Sequence, residues 1–242
     1  MSILILLAAA LLPVIFLWYY IWKQDPQPEP TNMLVKATLY GVGIIVPVII
    51  AEYVIQLCLF GEERPTSLIG TTIDAFFAAA LPEESFKLLA LWLVLRKNPC
   101  FDEHFDGIVY AVCIGLGFAA IENISYVLSE GDNWVGVAIA RALLAVPGHY
   151  AFAVLMGYYY SIYHFVDHSP KVAACILLVP IAAHGIYDAI AFSSMVNPYI
   201  GSISTFALIY FCIKMHKFAK TKIVAQLQKD EESITRYPRF MV

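Results

Sequence analysis

The sequence predicts an all-α fold, a polytopic bundle of about seven transmembrane helices, and three observations carry that reading. Hydrophobic residues make up 60% of the 242 positions and charged residues only 14%, against roughly a quarter charged in a soluble domain. Mean hydropathy is +0.72. The apolar residues also gather into seven stretches separated by short polar connectors, each long enough to approach the ~20 helical residues that cross a hydrocarbon core. A water-soluble fold is excluded. Nearly every residue belongs to a span or a connector, so 1–242 reads as one transmembrane domain with no room for a soluble one.

Taken in order, the predicted spans cover 2–22, 34–60, 67–95, 105–128, 134–165, 172–192 and 199–215. The first has no Lys or Arg before its apolar run and exceeds an ordinary signal-peptide core, so it reads as a span. A connector with Pro26, Pro28 and Pro30 follows, stiff and without evident chemistry. The third and fifth stretches are too long for one upright span and are expected to tilt, break or project from the bilayer. The tail, 214–242, mixes bases and acids with Ile223, Val224 and Leu227, which suits a surface helix anchored on the membrane. Five cysteines lie scattered without a metal-type spacing and read as small membrane hydrophobes.

Orientation follows from the 15 Lys and Arg. Twelve fall in odd-numbered connectors and the tail, from Lys23 to Arg239, and one, Arg64, falls in an even-numbered connector. Positive charge is retained in the cytoplasm, which places the N-terminus outside and the C-terminus inside. The net charge of −4 comes with no basic patch, so no nucleic-acid partner is expected. Membrane lipid is the partner that composition demands.

The remaining bases, Lys87 and Arg141, lie inside spans together with Glu83, Glu84, Glu122, Asn123, His149, His184 and Asp188. Each ionisable group near a bilayer centre costs at least about 2.5–3.5 kcal/mol, so several in one small bundle call for a function. Glu52 and Asp74 stand apart and read as polar helix contacts. On a helix Glu83 and Lys87 share a face and can pair, whereas Glu84 points about a quarter-turn away and is expected to stay free. His184 and Asp188 are also four apart, so the carboxylate can orient the imidazole. Pro82, Pro147 and Pro180 precede Glu83, His149 and His184, predicting kinks beside a wet cavity. Pro82-Glu83-Glu84 further resembles a helix start.

Three short patterns fall in separate spans: Glu83-Glu84-x-x-Lys87, Phe118-x-x-x-Glu122 and His184-x-x-x-Asp188. Together, over a motif core of 79–192, they resemble the PrsW family of bacterial intramembrane proteases, related to the prenyl-protein and bacteriocin-processing proteases. The resemblance implies a multi-pass protein of the bacterial inner membrane that cleaves membrane-spanning or juxtamembrane segments, with a single-span membrane protein such as an anti-sigma factor as substrate and a role in envelope stress. It transfers Glu83, Glu84, Glu122, His184 and Asp188 as catalytic positions. His149 joins them on chemistry, and Lys87 and Arg141 support them.

Peptide hydrolysis needs an activated water, a stabilised oxyanion and a proton for the leaving amine. Glu83 or Glu84 would be the base, helped by Glu122, with His184 and His149 serving the oxyanion or leaving group. No cofactor is required by that scheme. A zinc-type ion held from among Glu83, Glu122, His149 and His184 is also compatible, although HExxH is absent. The reading from another class is a proton- or cation-coupled transporter using the same buried relay, disfavoured by the lack of an internal repeat.

Overall fold

The computed structural model of the chain describes residues 3–236. The termini, including the start of the first predicted span and Arg239, lie outside the described residues. Seven helical rods follow one another: α1, Ile3–Gln24; α2, Thr31–Phe60; α3, 68–95; α4, Asp106–Ser129; α5, Gly131–Phe165; α6, Pro170–Ser193; and α7, Pro198–Arg236. Five of them, α1, α2, α4, α5 and α6, are long and apolar enough to cross a membrane by length and composition alone. α3 departs from that composition because it carries Asp74, Glu83, Glu84 and Lys87, and α7 because it turns polar after Met215.

α4 is the axis of the bundle. Residues 106–119 on it are buried without a break, which a helix allows only when neighbours surround it. Small residues permit that approach: a Cβ on Gly41 of α2 would strike the Ile114 carbonyl, and one on Gly157 of α5 would strike the backbone at Gly107. The outer rods show the reverse pattern, with Leu4, Phe16, Val46, Ile50 and Tyr53 exposed, as befits helices facing lipid.

Prolines explain where the rods deviate. α2 breaks at Ile44, three residues before Pro47. α3 and α5 stay continuous, each with a π-helical stretch, Asp74–Ala80 and Arg141–Ala145. Each stretch contains the residue four before Pro82 or Pro147, whose carbonyl a proline ring would strike in a regular helix; the wider π turn relieves that clash. Hence the overlong third and fifth spans are single rods with a bulge. Pro82 does not begin a helix, correcting the expectation from sequence. Pro180 sits in α6 without interrupting it.

The connectors test the odd-even count. Gln27 of the first connector hydrogen-bonds Glu103 of the third, and Tyr110 donates to Glu29. Asp230, far along α7, accepts from the backbone N–H groups of His104 and Phe105 at 2.7 and 2.8 Å. The base-rich connectors and tail therefore meet at one end, which the charge rule makes cytoplasmic.

Candidate active site

One cavity of about 610 Å³ opens among α2 to α6, bordered by Glu83, Glu122, Arg141, His149, His184 and Asp188. It runs toward Arg64 and Met195, in the second and sixth connectors, and so toward the end opposite the bases. The kinked second half of α2 lines it through Ile49, Glu52 and Tyr53, of which Ile49 and Tyr53 are also exposed. The cavity thus reaches the lipid-facing surface of the bundle.

At its floor Lys87 is the hub. Its Nζ donates to Glu83 Oε2 and to Glu84 Oε1, both at 2.8 Å, lies 3.2 Å from His149 Nδ1 and sits 4.4 Å from the Phe118 ring centroid. Pairing with both carboxylates corrects the expectation that Glu84 would stay free. Glu83 and Glu84 flank the Lys87 direction on either side, four and three residues back, and a long lysine reaches both. The two carboxylates still differ. Glu83 faces the cavity, whereas Glu84 is wholly buried with one oxygen, Oε2, lacking a hydrogen-bond partner.

Two histidines complete the floor, each tethered from behind. His149 Nε2 lies 2.7 Å from Glu122 Oε2. Its Nδ1 faces the Lys87 ammonium, which has only protons to offer, so Nδ1 presents its lone pair and Nε2–H donates to Glu122. His184 lies between Glu84 Oε1, 2.9 Å from Nδ1, and Asp188 Oδ2, 3.2 Å from Nε2. It stacks on Phe152 with 4.7 Å between centroids and a 20° tilt. Glu122 is fixed in turn by Arg141, whose NH2 group donates to it at 2.8 Å. Arg141 Nε donates to Asn123 Oδ1 at 2.7 Å, and the buried Asn123 donates to the Ala10 carbonyl at 2.6 Å. The guanidinium also lies 4.1 Å from the Tyr126 ring.

Every residue singled out from the sequence therefore reaches this cluster. Glu52 and Asp74, read there as polar helix contacts, also border the cavity. Phe152 and Tyr126 had escaped notice. Helical spacing carried a signal for them, since Phe152 is three residues from His149 and Tyr126 four from Glu122.

The donor set suits a metal ion. Ligating atoms of Glu83, His149 and His184 lie within 4.8 Å of one another, the one-carboxylate, two-imidazole composition found in catalytic zinc sites. Glu122, included from sequence, falls outside this group because it holds the far nitrogen of His149, where a carboxylate orients a ligand. Charge agrees: Glu83, Glu84, Glu122 and Asp188 face two fixed cations, Lys87 and Arg141. The two surplus negative charges match one divalent ion or two imidazoliums.

Comparison with known proteins points the same way. The family model described as PrsW family intramembrane metalloprotease matches residues 29–215. Protease PrsW of Oceanobacillus iheyensis is 32% identical over 201 residues, covering 81% of this chain and 89% of that protein. Protease PrsW of Clostridioides difficile is 36% identical over 74% of this chain and 76% of its own. The Bacillus subtilis protein of the same name is 30% identical over 92% of this chain and 98% of its own length. No solved structure gives a match.

Proposed function

Because the chain belongs to the PrsW family of intramembrane metalloproteases, a multi-pass protease of the bacterial cell membrane, we propose that Glu83, His149 and His184 form its hydrolytic centre. The observation that carries this reading is their convergence, with ligating atoms within 4.8 Å, on one cavity wall. Of the paired carboxylates, Glu83 takes the proton from the attacking water, because it faces the cavity while Glu84 is buried behind it. Glu84 and Asp188 hold the His184 ring. Glu122, braced by Arg141 and Asn123, holds His149.

In this scheme Lys87, 2.8 Å from Glu83 Oε2, holds the carboxylate in position on the cavity wall. His184 delivers the proton to the leaving amine, and its two carboxylates stabilise the imidazolium before transfer. His149 presents Nδ1 to the same space. In a metal-dependent alternative to that acid–base scheme, a zinc-type ion would be held by Glu83, His149 and His184, and when bound it would lower the pKa of its water and polarise the scissile carbonyl.

The substrate is a membrane-spanning or juxtamembrane segment entering past the second half of α2, where exposed apolar side chains continue into the cavity wall. A single-span membrane protein of the anti-sigma type is the substrate to try first, placing the enzyme in an envelope stress response. Purified protein incubated with such a substrate should yield two fragments, absent with Glu83→Gln. Substrate left intact by folded wild-type protein under all metal conditions would overturn the proposal.

A further inference from the structure

At the opposite end of the bundle a second group of acids gathers, sharing no residue with the hydrolytic centre. Asp106 lies sixteen residues before Glu122 on α4, about 24 Å along the helix. It is completely buried. Its Oδ2 accepts from the backbone N–H groups of Asp102 and Glu103 at 3.1 and 2.7 Å, while its Oδ1, closed from solvent, has no hydrogen-bond partner. Glu29, 6% exposed, lies against Asp106 and accepts a hydrogen bond from the Tyr110 hydroxyl on one oxygen. Oxygens of Glu29, Asp102 and Asp106 come within 4.8 Å of one another. Asp25, 5% exposed, brings another buried oxygen without a partner, Oδ2, within electrostatic reach of Glu29 and Asp106.

Such carboxylates need a counter-charge. Among the described residues no Lys or Arg forms an ion pair with Asp25, Glu29 or Asp106. Burial pushes the Asp25 and Glu29 carboxyls upward, each reinforced by neighbouring acids. Backbone donors and one tyrosine satisfy some oxygens and leave the charge unbalanced.

We propose that Glu29, Asp102 and Asp106 form a second cation site, for a hard divalent ion of the calcium or magnesium class. The donors are all oxygen, the chemistry that selects such ions over zinc. Glu29 belongs to the first connector and Asp102 to the third. Asp230 of α7 caps the same third connector, so an ion here ties together three segments that sequence leaves far apart.

The test uses the full-length protein in detergent, with terbium as luminescent probe and calcium and magnesium as competitors. The Glu83→Gln background removes a ligand of the hydrolytic centre. One saturating luminescence phase is expected, displaced by calcium with an affinity on the order of 0.1 mM. It should weaken at least ~10-fold in Asp106→Asn and in Glu29→Gln, each of which removes one of three charged ligands. Asp102 is exposed, so Asp102→Asn should fold normally and weaken binding by several-fold even if the buried variants do not fold. Millimolar calcium should also raise the unfolding midpoint of wild type more than that of Asp102→Asn. No saturating phase, as a proton shared between Glu29 and Asp106 would give, overturns the site. So does an affinity unchanged in Asp102→Asn.

Discussion

Glu83→Gln separates the chemistry of the cavity-facing carboxylate from its structural part. The substitution keeps the side-chain volume and removes one charge. Lys87 retains Glu84 at 2.8 Å and His149 Nδ1 at 3.2 Å, so the ammonium is not left stranded. The stability loss should therefore stay near 1–2 kcal/mol, below the 3–5 kcal/mol of a buried pair broken outright. Cleavage should fall at least ~100-fold, the lower end of what a general base contributes, equivalent to about 2.7 kcal/mol in the barrier. KM should change little, because the long cavity walls contact most of the substrate. Fragment release from a single-span substrate, followed in liposomes alongside thermal unfolding, measures both quantities. Glu84→Gln should show the complementary pattern: a larger loss of stability, since its buried Oε2 already lacks a partner, with activity falling through a loosened His184. If Glu83→Gln kept more than about a tenth of the wild-type rate, Glu83 would be neither base nor ligand, and the assignment of the centre would fail.

The other expectations concern the ion, the brace, the packing and the topology. Dialysis against a strong chelator should abolish cleavage, zinc should restore it, and restoration should weaken at low pH as the ligands protonate; activity indifferent to chelation would favour bare carboxylate chemistry. Asn123→Ala should lower kcat by about ten-fold with KM little changed, since a positioning residue acts through Arg141 and Glu122; an unaltered kcat would remove the brace from the mechanism. Gly157→Ala should destabilise the bundle by about 1–3 kcal/mol by forcing α5 off α4, and a neutral unfolding midpoint would refute the close contact. A reporter fused to the C-terminus should be cytoplasmic, and an external one would invert the orientation.

Much of this architecture was legible in the sequence because membrane burial makes polarity conspicuous. Glu83, Lys87, Glu122, Arg141 and His184 stand out against apolar spans, and helical spacing put His184 with Asp188 as the structure has them. Local spacing could not decide which groups face which across helices. The link between Glu84 and His184, the placing of Glu122 behind His149, and the division of Glu83 from Glu84 all depend on how α3, α4, α5 and α6 are rotated. Glu52 and Asp74 looked isolated for the same reason: their company comes from other rods. Pro82 and Pro147 marked deviations but not their form, since a break and a π bulge both relieve the same clash, and the kink expected at Pro180 is absent.

The two π stretches carry a consequence for how such proteins can vary. A π turn holds one residue more than an α turn, so removing one residue from 74–80 or 141–145 would restore the regular pitch without shortening the rod by more than about 1.5 Å. Because the wide turn absorbs that extra residue, the rods on either side would keep nearly the faces they present now. In α3, residues 68–73 would stay against α6 and Glu83, Glu84 and Lys87 on the cavity floor, but the Pro82 ring would again meet the carbonyl four residues before it. A one-residue deletion there should thus be tolerated only when the proline is replaced as well. Scanning deletions through 74–80, alone and together with Pro82→Ala, would expose a length of chain that only the proline demands.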